Sequence, residues 1–152
     1  MTEDNLKELY QEIIIDHYRN PRNFYILENA HRKVHGYNPL CGDDLTVYLN
    51  LENGVIQNVS FQGSGCAISQ ASASLMTKNV KGKKVEEAEN LFKVICCLVT
   101  EGSGSVGDVE VLGELAVLSG IYKFPARVKC ATLAWHALIA ALRLEDQNVT
   151  TE

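Results

Sequence analysis

Two runs of alternating apolar and polar residues constrain the fold of this chain more than any other feature. Over residues 45–51 and again over 55–62, apolar and polar residues alternate, and Asn53-Gly54 lies between the two runs. A period of two is typical of half-buried strands, and Asn-Gly favours the tight turn of a hairpin. The sequence therefore predicts an antiparallel hairpin, with residues 33–37 as a third strand.

After the turn Gly63-Ser64-Gly65 the apolar spacing changes to three and four residues, which indicates helices. The N-terminus has the same spacing, with a helix that starts near residues 2–4 and ends at Asn20-Pro21. The other predicted helices cover 67–79, 85–99, a short stretch over 108–118, and a last helix that begins at Pro125 and precedes a tail expected to fray. The prediction is one α+β domain over residues 1–152, in which a small antiparallel sheet of about three strands is covered by helices on one face.

The charge of the chain limits the classes of partner. A formal net charge of −5 without a concentrated basic patch argues against nucleic acid, whose phosphates require clustered cations. No stretch has the roughly 18 apolar residues of a membrane span, and the N-terminus lacks the basic flank of a signal peptide. We therefore expect no nucleic-acid or membrane partner and a cytoplasmic location.

Five cysteines occur at Cys41, Cys66, Cys96, Cys97 and Cys130. In a reducing compartment such residues are more often metal ligands, reactive thiols or small core residues than disulfides. Because they lie far apart in the chain, any site built from them depends on the tertiary fold.

Cys41-Gly42-Asp43 precedes the first strand of the predicted hairpin, and in an extended segment the thiol and the carboxylate two residues apart point to the same side. Cys66 falls at the start of one predicted helix and Cys130 in the first two turns of another, where a thiolate is favoured. Three thiolates and one carboxylate would suit tetrahedral zinc, and a thiolate-rich shell would also suit iron or an iron–sulfur cluster.

The resulting site would be anionic, so nearby cations should matter. Arg127 and Lys129 precede Cys130 closely. We expect Arg127 to steady the anionic site or a ligand that leaves it.

Four segments, taken together and in order, resemble the IscU/SufU family of iron–sulfur cluster assembly proteins: residues 16–23, 38–43, 63–69 and 128–130. The resemblance spans nearly the whole chain. It implies an IscU/SufU-like α+β fold, a partnership with a cysteine desulfurase, and the metal ligands Cys41, Asp43, Cys66 and Cys130.

Two departures favour the SufU branch over the IscU scaffolds. The scaffolds carry a histidine directly before the third cysteine, where this chain has Lys129, and a Leu-Pro-Pro-Val-Lys motif where it has residues 124–129. The Gly-Ser stretch over residues 102–107 and the helix after it also resemble the insertion typical of SufU proteins.

The SufU resemblance implies a zinc-dependent sulfurtransferase that accepts a persulfide sulfur on Cys41 from a SufS-type desulfurase and delivers it to a separate Suf-type scaffold. The alternative is an IscU-like scaffold on which a [2Fe–2S] cluster is assembled. A third hypothesis is a non-catalytic zinc module that regulates a partner.

The remaining candidates favour structural roles. Cys96 lies on an apolar helical stripe and Cys97 about 100° away from it, so both are interpreted as core or flank residues. His17 lies on an apolar helix face and is interpreted as a packed, hydrogen-bonded residue. Gly63-Ser64-Gly65 lacks the further residues of a phosphate-binding loop and is interpreted as a tight turn.

Overall fold

The computed structural model describes residues 3–102, 109–143 and 148–150, with side chains over 7–102 and 112–143. Its helices and strands are α1 (Glu3–Arg19), β1 (Arg32–Asn38), β2 (Asp43–Glu52), β3 (Val55–Ser64), α2 (Ala67–Val80), α3 (Val85–Glu101), a 3₁₀ segment (Val109–Lys123), α4 (Pro125–Arg143) and β4 (Asn148–Thr150). The predicted α+β class is confirmed. None of the helices in these ranges is both long and apolar enough to span a membrane.

The sheet has the strand order β3-β2-β1-β4. The three predicted strands pair in antiparallel fashion, as expected. The prediction of a frayed tail is wrong for the three residues of β4, which pair in parallel with residues 35–37 of β1. An unpaired strand edge offers N–H and C=O groups to any extended segment, so this pairing needs no apolar pattern.

The register of the hairpin points one row of apolar residues into the core. Val47 lies opposite Phe61, and Leu49 opposite Val59, and all four side chains are fully buried. A bulge between Asn50 and Leu51 shifts the pairing towards the turn. As a result Ile56 is buried and Val55 is half-exposed.

Helices α2 and α4 pack against each other through small residues. The Ser72 hydroxyl donates to the Ala131 carbonyl at 2.6 Å and accepts from Trp135 Nε1 at 3.1 Å. Small side chains at a contact bring helix axes closer together. This approach positions the N-terminal ends of both helices for the site described below.

The predicted short helix over 108–118 is instead the 3₁₀ segment, which extends to Lys123. It is interrupted at Gly113, whose φ of 57° is left-handed. An α-helix cannot continue through that conformation, so the backbone forms separate 3₁₀ turns. Residue 108, where the helix was expected to start, lies outside the described residues.

His17 is buried, as predicted, and connects three parts of the fold. Its Nδ1 lies 2.7 Å from Ser74 Oγ on α2, and its Nε2 lies 3.1 Å from Glu114 Oε2 on the 3₁₀ segment. Burial, more than any other cause, lowers the pKa of His17 below its usual value of 6.5. The neutral ring therefore holds α1 in place.

Candidate metal centre

Three parts of the fold, namely the turn from β1 into β2, the start of α2 and the start of α4, bring the predicted ligands to one place. Cys41 lies in the loop between β1 and β2, and Asp43 is the first residue of β2. Cys130 lies in the second turn of α4 and is fully buried. Cys66 is the N-cap residue of α2, so it lies directly before the first helical turn and not within it.

Cys41, Asp43 and Cys130 form the tight part of the site. One ligand atom of each lies within 4.8 Å of the others, and the Cys41 and Cys130 sulfurs are 3.0 Å apart. Gly42 has a φ of 69°, so the chain turns between Cys41 and Asp43 and both side chains face Cys130. A purely extended segment, the basis of the prediction, is not what aligns them.

Cys66 stands outside that tight group but contacts it through the Cys130 thiol. Its sulfur accepts a hydrogen bond from the Ser69 backbone N–H at 3.4 Å. This bond fixes the Cys66 sulfur at the N-terminal end of α2.

Asp43 is held in a single orientation. It is fully buried, and its Oδ1 accepts from the Cys66 N–H at 2.9 Å and from the Ser69 hydroxyl at 3.1 Å. With Oδ1 engaged twice, Oδ2 is the oxygen left to face the thiols. A Cβ on Gly65 would stand 2.5 Å from Ser69 Oγ and 2.7 Å from Asp43 Oδ1, so any other residue there would have to displace one of these two oxygens.

Asn38 is a site residue that the sequence reasoning did not single out. Its Nδ2 donates to Asp43 Oδ2 at 3.2 Å and approaches Cys130 Sγ at 3.5 Å, while its Oδ1 accepts from the Leu40 N–H at 3.3 Å. The residue is fully buried. The motif around Cys41 contains Asn38, but no spacing rule predicts that a side chain three residues earlier reaches Cys130.

The thiols and the carboxylate of the site lie so close together that a nearby cation would stabilise their ionised forms. Burial raises the pKa of the Cys130 thiol well above its ordinary value, and the contacts with Cys41 and Asp43 raise it further. Arg127 lies beside these groups, and the nearby Cys66 charge and a hydrogen bond to Cys130 raise its own pKa. Because Arg127 is largely exposed, water screens this attraction.

The donor set is compatible with a zinc ion. Soft thiolates with one carboxylate oxygen suit Zn²⁺, and two thiolates on a tetrahedral zinc stand about 3.8 Å apart. The Cys41 and Cys130 sulfurs, at 3.0 Å, would have to separate by about 0.8 Å. Cys41, half-buried in a loop with a left-handed glycine beside it, can supply that movement.

The other two cysteines lie on α3, away from the candidate centre. Burial, and secondarily the neighbouring Cys97, raise the pKa of Cys96 to about 11, and Cys97 is exposed. Cys97 agrees with the predicted flank position, whereas Cys96 is half-buried and lies at the edge of the core rather than inside it.

The fold and the site together define a small α+β protein in which thiols and a carboxylate converge on a candidate metal centre. The family model described as "NifU-like N terminal domain" matches residues 9–141 of the chain. The chain belongs to this family, and within it to the IscU/SufU proteins of iron–sulfur cluster assembly.

Relatives of both branches resemble the chain over most of its length. The "Zinc-dependent sulfurtransferase SufU" of Bacillus subtilis is 41% identical, over 93% of this chain and 95% of that protein. The "Iron-sulfur cluster assembly scaffold protein IscU" of Streptococcus pyogenes is 38% identical, over 98% of this chain and 96% of that protein. These relatives show the family and its common process, iron–sulfur cluster assembly. One is named as a sulfurtransferase and the other as a scaffold, so similarity alone does not choose between these two functions.

A solved structure agrees with the fold. The putative iron–sulfur cluster assembly scaffold protein for the SUF system from Fervidobacterium islandicum superposes with a TM-score of 0.80 at 36% identity. The alignment covers 89% of this chain and 97% of that one. The IscU/SufU-like fold expected from the sequence is therefore confirmed.

Proposed function

We propose that this chain is a zinc-dependent sulfurtransferase that accepts a persulfide sulfur on Cys41 from a SufS-type cysteine desulfurase and passes it to a separate Suf-type scaffold. The observation that carries the proposal is the unequal attachment of the three site thiols. Cys66 accepts an N–H from Ser69, and Cys130 is fully buried beside Asn38. The hydrogen bond described for the Cys41 sulfur is the one that it accepts from the Cys130 thiol.

A thiolate that accepts no N–H hydrogen bond keeps its full electron density and is the better nucleophile. Cys41 also lies in a half-exposed loop, whereas Cys130 is inaccessible. Among the three thiols of the site, Cys41 is therefore the one suited both to leave the centre and to meet a donor.

Sulfur transfer then follows thiol–disulfide exchange. The Cys41 thiolate attacks the outer sulfur of the donor persulfide, a new S–S bond forms on Cys41, and the donor cysteine departs as its thiolate. A zinc ion held by Cys41, Asp43, Cys66 and Cys130 would keep these thiols deprotonated near neutral pH and shield them from oxidation. Asp43 and Asn38 keep the rest of the site in place when Cys41 moves.

The proposal gives Arg127 a supporting role in sulfur transfer to Cys41. Its guanidinium is hydrogen-bonded to Cys130 and close to Cys66, so it offsets part of the negative charge of the site. Replacement by alanine is expected to slow persulfide transfer to Cys41, and replacement by lysine to restore part of the rate. Unchanged zinc content and an unchanged transfer rate in Arg127→Ala would remove this role.

The decisive experiment incubates the zinc-loaded protein with a cysteine desulfurase and cysteine, then maps the sulfur on each thiol by mass spectrometry. The expected result is one extra sulfur on Cys41, lost in Cys41→Ser and retained in the matched variant Cys97→Ser. Equal sulfur loading of both variants would refute the proposal. A non-catalytic zinc module would lose sulfur acceptance in Cys41→Ala only in proportion to its loss of zinc and of partner binding.

A scaffold role is the second candidate, because relatives named as IscU scaffolds are 38% and 41% identical to this chain. Anaerobic reconstitution with iron and sulfide separates the two functions. A stable [2Fe–2S] cluster that moves intact to an apoprotein would favour the scaffold. Failure to retain a cluster, together with sulfur on Cys41, would favour the carrier.

A further inference from the structure

A groove of about 380 Å³ lies beside the candidate centre, between α1, the 3₁₀ segment and the start of α4. Two of its lining residues connect it with the site. Ile68 follows Cys66 by two positions, and Arg127 contacts Cys130. One end of the groove therefore adjoins the thiols.

The walls of the groove are apolar and include exposed aromatic side chains. Tyr10 and Ile14 contribute from α1, and Ile121 from the opposite side. Tyr122 and Phe124 stand at the rim with 41% and 61% of their surfaces exposed. Exposed aromatics around an apolar groove are typical of surfaces that bind another protein.

Among the described side chains, the charges that line the groove have one sign. They belong to the cations Lys7, Lys123 and Arg127, although the chain holds 19 acidic and 14 basic residues. Within the described side chains, no carboxylate forms an ion pair with Lys7 or Lys123. An apolar groove with a cationic rim is complementary to an acidic segment that carries an apolar side chain.

We infer that this groove docks an acidic, partly apolar segment of the cysteine desulfurase that supplies Cys41, an inference that rests on the proposed function. The cations project from three separate elements and are exposed, so they suit an extended chain better than a single small anion. A donor that delivers sulfur to Cys41 must lie against this side of the molecule. Docking here would hold the donor persulfide close to the centre.

The test compares two double variants with the same change of charge. Lys7→Glu/Lys123→Glu reverses the rim, and Lys81→Glu/Lys93→Glu reverses two exposed lysines at the end of α2 and on α3. Binding to the desulfurase is measured by calorimetry at several salt concentrations. The rim variant is expected to bind at least about tenfold more weakly at low salt, with zinc content unchanged, and the control to bind like the wild type.

A second variant tests the apolar part of the groove. Phe124→Ser removes the most exposed aromatic ring and leaves every charge in place. It is expected to weaken binding about tenfold with little dependence on salt.

Each result bears on the inference separately from the proposed function. Equal affinities of the two double variants, or a rim variant that alters only self-association of the chain in sedimentation, would overturn it. Saturating desulfurase should still load Cys41 of the rim variant with sulfur. If the wild type binds through the groove yet no sulfur reaches Cys41, the docking site stands and the sulfurtransferase proposal fails.

Discussion

At the scale of single residues, Asn38 and Gly65 decide the geometry of the candidate centre without donating a ligand atom. Asn38 bridges Asp43 Oδ2 and Cys130 Sγ, and Gly65 leaves room for the Asp43 carboxylate. Groups that orient metal ligands commonly change metal affinity by 10–100-fold when they are removed, so each residue allows a measurable prediction.

Asn38→Ala is expected to lower zinc affinity by roughly 10–100-fold, because Asp43 and Cys130 lose the amide that joins them. In the cobalt-substituted protein the sulfur-to-metal absorption band should move to longer wavelength, since a thiolate without an N–H donor gives up electrons more readily. Asn58→Ala, at the far end of β3, serves as the matched control. An unchanged affinity and spectrum would contradict this role.

Gly65→Ala is expected to displace Asp43 or Ser69, since the new Cβ would approach both oxygens closer than 3.0 Å. The cost should be about 1–3 kcal/mol in the free energy of unfolding, with reduced zinc content. Gly120→Ala is the control, because nothing lies within 4 Å of its Cβ position. Competitive metal titration and urea denaturation of both variants measure the difference.

At the scale of elements, the contact between α2 and α4 brings Cys66 and Cys130 together. The Ser72 hydroxyl of α2 links the two helices, because it donates to the Ala131 carbonyl of α4 and accepts from the Trp135 indole N–H of the same helix. Ser60, on β3, is also fully buried, but its hydroxyl finds no partner among the described residues. These two serines predict opposite effects of the same substitution.

Ser72→Ala is expected to destabilise the protein by about 1–3 kcal/mol, because the buried Trp135 indole N–H loses its partner and the Ala131 carbonyl loses one of its hydrogen bonds. Ser60→Ala should be neutral or slightly stabilising, because the buried Ser60 hydroxyl makes no hydrogen bond within the described residues to offset the cost of its burial. Trp135 is the one tryptophan in the chain, so its fluorescence follows unfolding directly. Equal destabilisation by both substitutions would show that the helix contact does not depend on this hydroxyl.

At the scale of the whole molecule, His17 couples stability to pH because it connects α1, α2 and the 3₁₀ segment. Its folded-state pKa is lowered chiefly by burial, and the pKa of Glu114 is lowered chiefly by its hydrogen bond with Lys78. Both shifts act in the same direction. The stability that each contributes is present above the unfolded-state pKa and is lost as the pH falls through the folded-state pKa.

For His17 that window begins near pH 6.5 and extends downward. The unfolded chain binds a proton there that the folded chain does not, so the free energy of unfolding should decrease by at most about 1.4 kcal/mol per pH unit. His17→Gln should flatten this part of the curve, whereas His31→Gln, an exposed control, should not. His136, whose pKa is also lowered by burial, contributes the same trend in every variant. A constant difference between wild type and His17→Gln from pH 5 to 8 would contradict the prediction.

Local patterns in the sequence were sufficient for the elements that depend on them. The alternation on both sides of Asn53-Gly54 predicted the hairpin, and the apolar spacing predicted the helices that became α1, α2, α3 and α4. The bulge after Asn50 and the 3₁₀ segment were not predicted. Both depend on how the backbone is packed against other elements, which a local pattern does not record.

For the site, the sequence by itself determined which residue types are present and that Cys41 and Asp43 are two positions apart, while the turn at Gly42 that lets both face Cys130 is a feature of the structure. Only the tertiary structure decided that Cys130 meets both of them, that Cys66 stands at the edge of the group, and that Asn38 and Ser69 hold Asp43. Sequence spacing constrains side chains only within one strand or one helical turn. Contacts across 89 residues, as between Cys41 and Cys130, exist because the sheet and two helices are packed into one core.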